Sequence, residues 1–188
     1  MKKWHIILIS IIALVIVFIS LYISGLNSIV RKYEAVNASW AEIDNQLKRR
    51  NDLIPNLVNT VKGYAAHEQE ILDNLANARA KLGNATSKED KIVANNEFEG
   101  ALSRLLVIVE NYPNLKANEN FQGLMDELSG TENRIAVARM RYNEQVRVYN
   151  TYIKEVIGSF FASRKGLNTP FPYFEVSETD KAVQNVQF

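Results

Sequence analysis

The chain has 188 residues, a net charge of +1, 47% hydrophobic residues and no cysteine. The missing cysteines exclude disulfides, thiolate metal sites, a cysteine nucleophile and an N-terminal lipid on cysteine. The balanced charge argues against a nucleic-acid partner, which needs a clustered basic surface.

Residues Ile6 to Ile23 form an uncharged apolar run interrupted only by Ser10 and Ser20. Extended through Ser24, Gly25 and Leu26, the run reaches the roughly 20 residues that span a bilayer as a helix. A cleaved secretory signal has a shorter apolar core and a small-residue cleavage site, so the run reads as a retained anchor over residues 1–26. Trp4 and Tyr22 stand near its two ends, where amphipathic aromatics favour headgroups. Lys2 and Lys3 precede the run and Arg31 and Lys32 follow it. This near-tie in positive charge tips to an inside N-terminus only by proximity, and it leaves the side of the soluble part open.

From Val30 onward, apolar residues recur at threes and fours, as on one face of a helix. Val30, Tyr33, Val36, Trp40, Ile43 and Leu47 make the first stripe. It closes on Lys48, Arg49 and Arg50, cations suited to a helix C-terminus and able to attract acidic partners. Asn51 and Asp52 can cap a second helix with Pro55 in its first turn, giving segments of about 27–51 and 53–82. The stripe keeps nearly the same phase across Pro55, so one long kinked helix is the alternative. Gly83 and Asn84 are stop signals. Ser87 caps a third helix over about 88–112, with Glu89 and Asp90 in its first turn and Pro113 as its limit.

A fourth pattern, from Phe121 through Leu128, Ile135, Tyr142 and Tyr149 to Phe160, predicts a long helix over about 118–164. Gly166 ends it. Residues 167–188, with Pro170 and Pro172 among aromatics, read as an extended tail. No segment alternates with period two. The predicted fold is all-α: a transmembrane helix, an antiparallel up-and-down four-helix bundle over residues 27–166, and an irregular tail. If the chain reverses at each turn, the fourth helix returns toward the membrane. Phe160, Phe161, Phe171 and Phe174 then either contact lipid or cap the bundle core.

Signatures of chemistry are missing. The only histidines are His5 and His67, and His67-Glu68 is followed by Ile71 where a zinc motif needs a second histidine. No glycine-rich phosphate loop and no G-x-S-x-G occurs. Glu132, Asn133, Arg134 and Arg139 form a polar set in the fourth helix, with Glu132 and Arg139 seven apart on one face. The set is a partner-binding stripe, a buried network fixing helix register, or a solvated face of weak ion pairs. Trp40 falls on the apolar stripe and reads as core.

Long strings in the chain resemble the LemA family of bacterial membrane proteins. They are Trp40-Ala-Glu-Ile-Asp-Asn-Gln-Leu-Lys-Arg-Arg50, Asp52-Leu-Ile-Pro-Asn-Leu-Val58 and Val61-Lys-Gly-Tyr-Ala65. Further on stand Glu110-Asn-Tyr-Pro-Asn-Leu-Lys-Ala-Asn-Glu-Asn120, Glu127-Leu, Gly130-Thr-Glu-Asn-Arg-Ile-Ala-Val-Ala-Arg139, Tyr142-Asn143 and Tyr149-Asn150. The resemblance implies a bacterial membrane location, single-pass, with no established reaction and no cofactor. Trp40, Arg50, Asp52, Pro55, Asn56, Glu132, Asn133, Arg134 and Arg139 are the structural or partner-binding candidates. The expected role is a non-enzymatic scaffold or adaptor, held in lipid by Ile6–Leu26 and binding other membrane proteins or itself. The alternative is a membrane-shaping or lipid-surface protein.

Overall fold

A computed structural model of the protein describes residues 2–65 and 67–175. The expected tail beyond residue 175 lies outside the described residues. Among the described residues there are six helices and no strand: α1 (Lys2–Lys62), α2 (Gln69–Asn84), α3 (Lys88–Val109), α4 (Pro113–Lys116), α5 (Glu119–Tyr152) and α6 (Val156–Lys165). The all-helical expectation therefore holds, and the N-terminal helix carries the long apolar run. The predicted boundaries change at three places.

The first change is at Pro55. The predicted break between residues 51 and 53 is absent, and α1 continues to Lys62 with Pro55 inside it. A proline in a helix interior costs about 3 kcal/mol relative to alanine, partly because it donates no hydrogen bond to the carbonyl four residues back. Here that carbonyl belongs to Asn51, and it accepts instead from Arg79 Nε of α2 at 3.1 Å. Continuity also keeps Ile54, Leu57 and Val61 in one buried stripe with Trp40, Ile43 and Leu47. Burial stabilises by roughly 1.5–3 kcal/mol per large aliphatic side chain, so the stripe outweighs the proline. Asn51 and Asp52 are accordingly helix-interior residues and not caps.

The second change is a turn that begins after Lys62, inside the predicted 53–82 helix; α2 starts at Gln69. Tyr64 and Ala65 N–H groups both bond the Val61 carbonyl, at 2.9 Å, and close the helix. The turn lets Leu72, Leu75, Ala78 and Leu82 of α2 join the same core cluster as Ile54, Leu57 and Val61. A helix running on through this point would leave that stripe without a partner.

The third change divides the predicted 118–164 helix into α5 and α6. Between them Glu155 is extended, with φ −71° and ψ 150°. Gly158 allows α6 to pass against α5, because a Cβ at this position would fall on the Tyr152 carbonyl. Gly166 then ends α6 in the left-handed conformation, φ 66°, and the Leu167 N–H bonds the Ala162 carbonyl at 2.9 Å. That is the glycine-terminated helix end expected from the sequence. Ser87 likewise caps α3 as expected, accepting from the Asp90 N–H at 2.9 Å.

The chain forms two compact units, and the division falls inside α1 and α5. The first comprises Met1–Ser39 and Asn143–Phe171. Its apolar run is wholly exposed, and burial sets in at Ile29 and Val36, with Val146, Tyr149 and Ile153 from α5. Tyr33 lies between Tyr149 and Phe171, with ring centroids 6.1 and 5.4 Å away. Asn150 and Phe171 exchange two hydrogen bonds of 2.9 and 3.0 Å, which dock the segment following α6.

The second unit comprises Trp40–Tyr142 and the chain from Pro172. Its core draws Ile54, Leu57 and Val61 from α1, Leu72 and Leu75 from α2, Phe98 and Leu105 from α3, Leu115 from α4, and Phe121 and Leu128 from α5. Trp40 is core, as expected, edge-on to Tyr142 at 5.2 Å and near Phe174 at 6.1 Å.

If Arg79 offsets the proline, the two residues are energetically coupled. In detergent micelles, Arg79→Met should destabilise the wild-type protein by about 1 kcal/mol, the lower end of the cost of an unsatisfied buried carbonyl, since Asn51 is only partly buried. In a Pro55→Ala background, where the helix can bond that carbonyl itself, the cost should largely vanish. A thermal or urea double-mutant cycle checks this, and strict additivity would refute the pairing.

Candidate functional site

On α1, the spacing 40, 43, 47, 54, 57, 61 leaves one stripe position, 50, to an arginine. Arg50 is therefore forced inward, and it is only 1% exposed. An isolated buried charge is untenable, so the surroundings must answer it. Nη1 donates to Glu132 Oε2 of α5 at 2.6 Å and lies 3.5 Å from Glu99 Oε1 of α3. Nη2 donates to Asn95 Oδ1, and Asn95 Nδ2 donates to Glu99 Oε1 at 2.8 Å. The guanidinium also sits over the Phe98 ring, 4.7 Å from its centroid. Nε alone has no hydrogen-bond partner.

Arg139 extends the cluster. Its Nη1 lies 3.9 Å from Glu99, and its guanidinium stands 5.3 Å over the Phe174 ring. Two arginines and two glutamates thus neutralise each other. Charges matched and hydrogen-bonded in this way specify how α1, α3 and α5 meet, because any slip leaves a buried charge unpaired. Thr131, also buried on α5, returns its hydroxyl to the Glu127 carbonyl at 2.8 Å.

Beside the layer lies a groove of about 400 Å³ between α3 and α5. Arg50, Glu99 and Glu132 form its polar side, and Leu102, Leu106, Met125 and Leu128 form its apolar side. The arrangement offers shape and a neutralised polar edge. Among the described residues, no group of three or more His, Asp or Glu side chains is placed to hold a metal ion.

The candidates from the sequence therefore separate. Arg50, Glu132 and Arg139 converge on one cluster. Asn133 lines the groove from an exposed position. Asp52, Asn56 and Arg134 are exposed and outside it; the Asn56 carbonyl accepts from Thr60 Oγ1 at 2.8 Å within α1. Pro55 acts through Asn51 and Arg79. Sequence reasoning missed Asn95, Phe98 and Glu99. Their signal was available: Asn95 interrupts the stripe Ile92, Phe98, Leu105 and Val109 just as Arg50 interrupts its own.

A second polar contact sits in the same unit. Tyr142 is buried, and its hydroxyl donates to the Pro172 carbonyl at 2.9 Å. Burial, helped by the negative charge of Glu89, pushes this hydroxyl well above the ordinary tyrosine range. Tyr149 of the other unit is raised for the same principal reason, with Tyr33 adding to it.

These features define a class: a helical protein with an exposed apolar N-terminal run and a core ordered by a neutral arginine–glutamate layer. The LemA family model matches residues 39–188, and the chain belongs to the LemA family. It is similar to Magnetosome protein MamQ of Magnetospirillum gryphiswaldense, 27% identical over 171 residues, covering 77% of this chain and 62% of that protein. Magnetosome protein MamQ 2 of Paramagnetospirillum magneticum is 26% identical over 165 residues, covering 74% and 61%. Protein LemA of Metamycoplasma hominis is 25% identical over 138 residues, covering 73% and 63%. The chain spans about three fifths of the length of these relatives.

Two outcomes are expected. Arg50→Ala should lose about 3 kcal/mol of stability, the lower end of the cost of breaking a buried pair, since Glu132 is half exposed and partly solvated. Arg50→Met combined with Glu99→Gln should recover most of that loss in chemical denaturation; no recovery would mean the cluster is not a charge-balanced unit. For Tyr142, the neutral form is favoured by folding, so its contribution is complete below the unfolded value near pH 10 and lost as pH rises through the folded value. Melting temperature should hold level from pH 7 to about pH 9 and fall above about pH 10. Tyr142→Phe should show a shallower alkaline fall, and an unchanged slope would contradict the assignment.

Proposed function

We propose that the protein is a membrane-anchored, non-enzymatic scaffold or adaptor of a bacterial membrane. One observation carries the reading. Every side chain of the Ile6–Ile23 run is exposed, so among the described residues the most apolar part of the molecule is left uncovered, apart from the contact of Tyr22 with Phe161 at its end. Apolar surface on that scale needs hydrocarbon around it, and a single helix of that length crosses a bilayer. The anchor confines the groove and the helical faces to two dimensions, which raises their effective concentration toward membrane partners. The polar cluster supports a structural use over a catalytic one, because its charges are spent on each other. The names of the relatives supply no reaction to carry over.

The partners are other membrane proteins or further copies of this chain. A photo-crosslinking residue at Leu106, on the apolar side of the groove, tests this in intact cells. Discrete crosslinked products with membrane proteins or with the chain itself are expected, and none with a probe on exposed Asp126. Absence of any product, together with a monomer after mild detergent extraction, would overturn the reading. A second reading, a lipid-surface or membrane-shaping role, is favoured by the exposed apolar residues of α6.

A further inference from the structure

Val156, Ile157 and Phe160 of α6 are 90%, 69% and 48% exposed. Placed at i, i+1 and i+4, they form one face, and Arg164 continues it one turn later. The opposite face, Gly158, Phe161 and Ala162, is buried. Two of its three buried positions are glycine and alanine, while two large aliphatic side chains and a phenylalanine face outward, a pattern unsuited to water.

The buried face is seated at one particular place. Phe161 meets Tyr22, with ring centroids 5.7 Å apart, and its ring occupies the space a Cβ at Gly25 would need. Tyr22 and Gly25 lie where the apolar run of α1 ends. The helix also does not prolong α5. It starts after the extended Glu155, and the residue following Gly166 returns to α5, where the Leu167 carbonyl accepts from the Tyr149 hydroxyl at 2.7 Å. Cations close the pattern: Arg164 stands 5.3 Å over the Phe160 ring, and Lys165 follows at the helix end.

From this geometry we propose that α6 is an interfacial helix. Its Val156, Ile157 and Phe160 face lies in the boundary between headgroups and acyl chains of the bilayer that α1 crosses. Arg164 and Lys165 reach out to lipid phosphates, as long cationic side chains do from apolar surroundings. The proposal rests on α1 being anchored in lipid. Phe161 on Gly25 couples α6 to the anchor, so the apolar face of α6 continues the apolar surface of the run. The division of the aromatics follows: Phe161 and Phe174 are buried in protein, and Phe160 is left for lipid.

The absence of cysteine makes single-site spin labelling of the full chain clean. Three variants, Ile12→Cys, Ile157→Cys and Met140→Cys, are labelled and reconstituted into phosphatidylcholine–phosphatidylglycerol vesicles. Ile12 reports the anchor, and Met140 is an exposed site on α5. Collisions with oxygen, which partitions into lipid, are compared with collisions with a water-soluble nickel chelate. The expected result is a severalfold higher oxygen-to-nickel ratio at positions 12 and 157 than at 140. A lipid ratio at 12 with a water ratio at 157 overturns the interfacial helix and leaves the anchor standing. A water ratio at 12 overturns both. Spin–spin broadening at 157 that disappears on dilution with unlabelled protein would show a second copy covering this face, and would also overturn the proposal.

Discussion

The structure depends on burying the stripe that α1 carries from Trp40 to Val61. That stripe cannot be interrupted without stranding the side chains beyond the break. Pro55 is therefore kept inside a helix despite its cost, and Arg79 supplies the hydrogen bond the proline cannot. The same constraint places Arg50. A residue at that phase of the helix points inward whatever its chemistry, so α3 and α5 must present carboxylates and an amide to meet it. The buried layer follows from the helix, and the meeting of α1, α3 and α5 follows from the layer.

Much of this is written in the sequence at the level of period. The threes and fours identify the helices, Ser87 and Gly166 mark two of their ends, and Pro113 stands at the first position of α4 after α3 has stopped. Breaks governed by tertiary contact were not legible. Nothing local between Tyr152 and Val156 breaks a helix, and the close approach at Gly158 is visible only in the structure. At Pro55 local chemistry pointed to a boundary, while the unbroken phase of the stripe pointed to continuity; packing decided.

The polar site was half legible. Glu132 and Arg139 stood out because they share a face seven residues apart, and Arg50 because it ended a cationic triplet. Their partners on α3 did not, because Asn95 and Glu99 resemble ordinary helix residues until the stripe is drawn through them. Buried polar residues in a helical protein are found by asking which stripe positions are not apolar. Applied here, that question returns Arg50, Asn95 and Thr131 in the second unit and Asn150 in the first, all buried. The site so found orders a core and borders a groove. This suits the scaffold role proposed above.

The continuity of α1 through its proline is the claim on which these arguments turn. Hydrogen–deuterium exchange on the full-length protein in lipid nanodiscs measures it directly. Amides from Ile43 through Val61 should exchange slowly as one protected block, Asp52 and Leu53 included. A rapidly exchanging interruption at Asn51 to Leu53, with protected segments on either side, would show two helices and contradict the account.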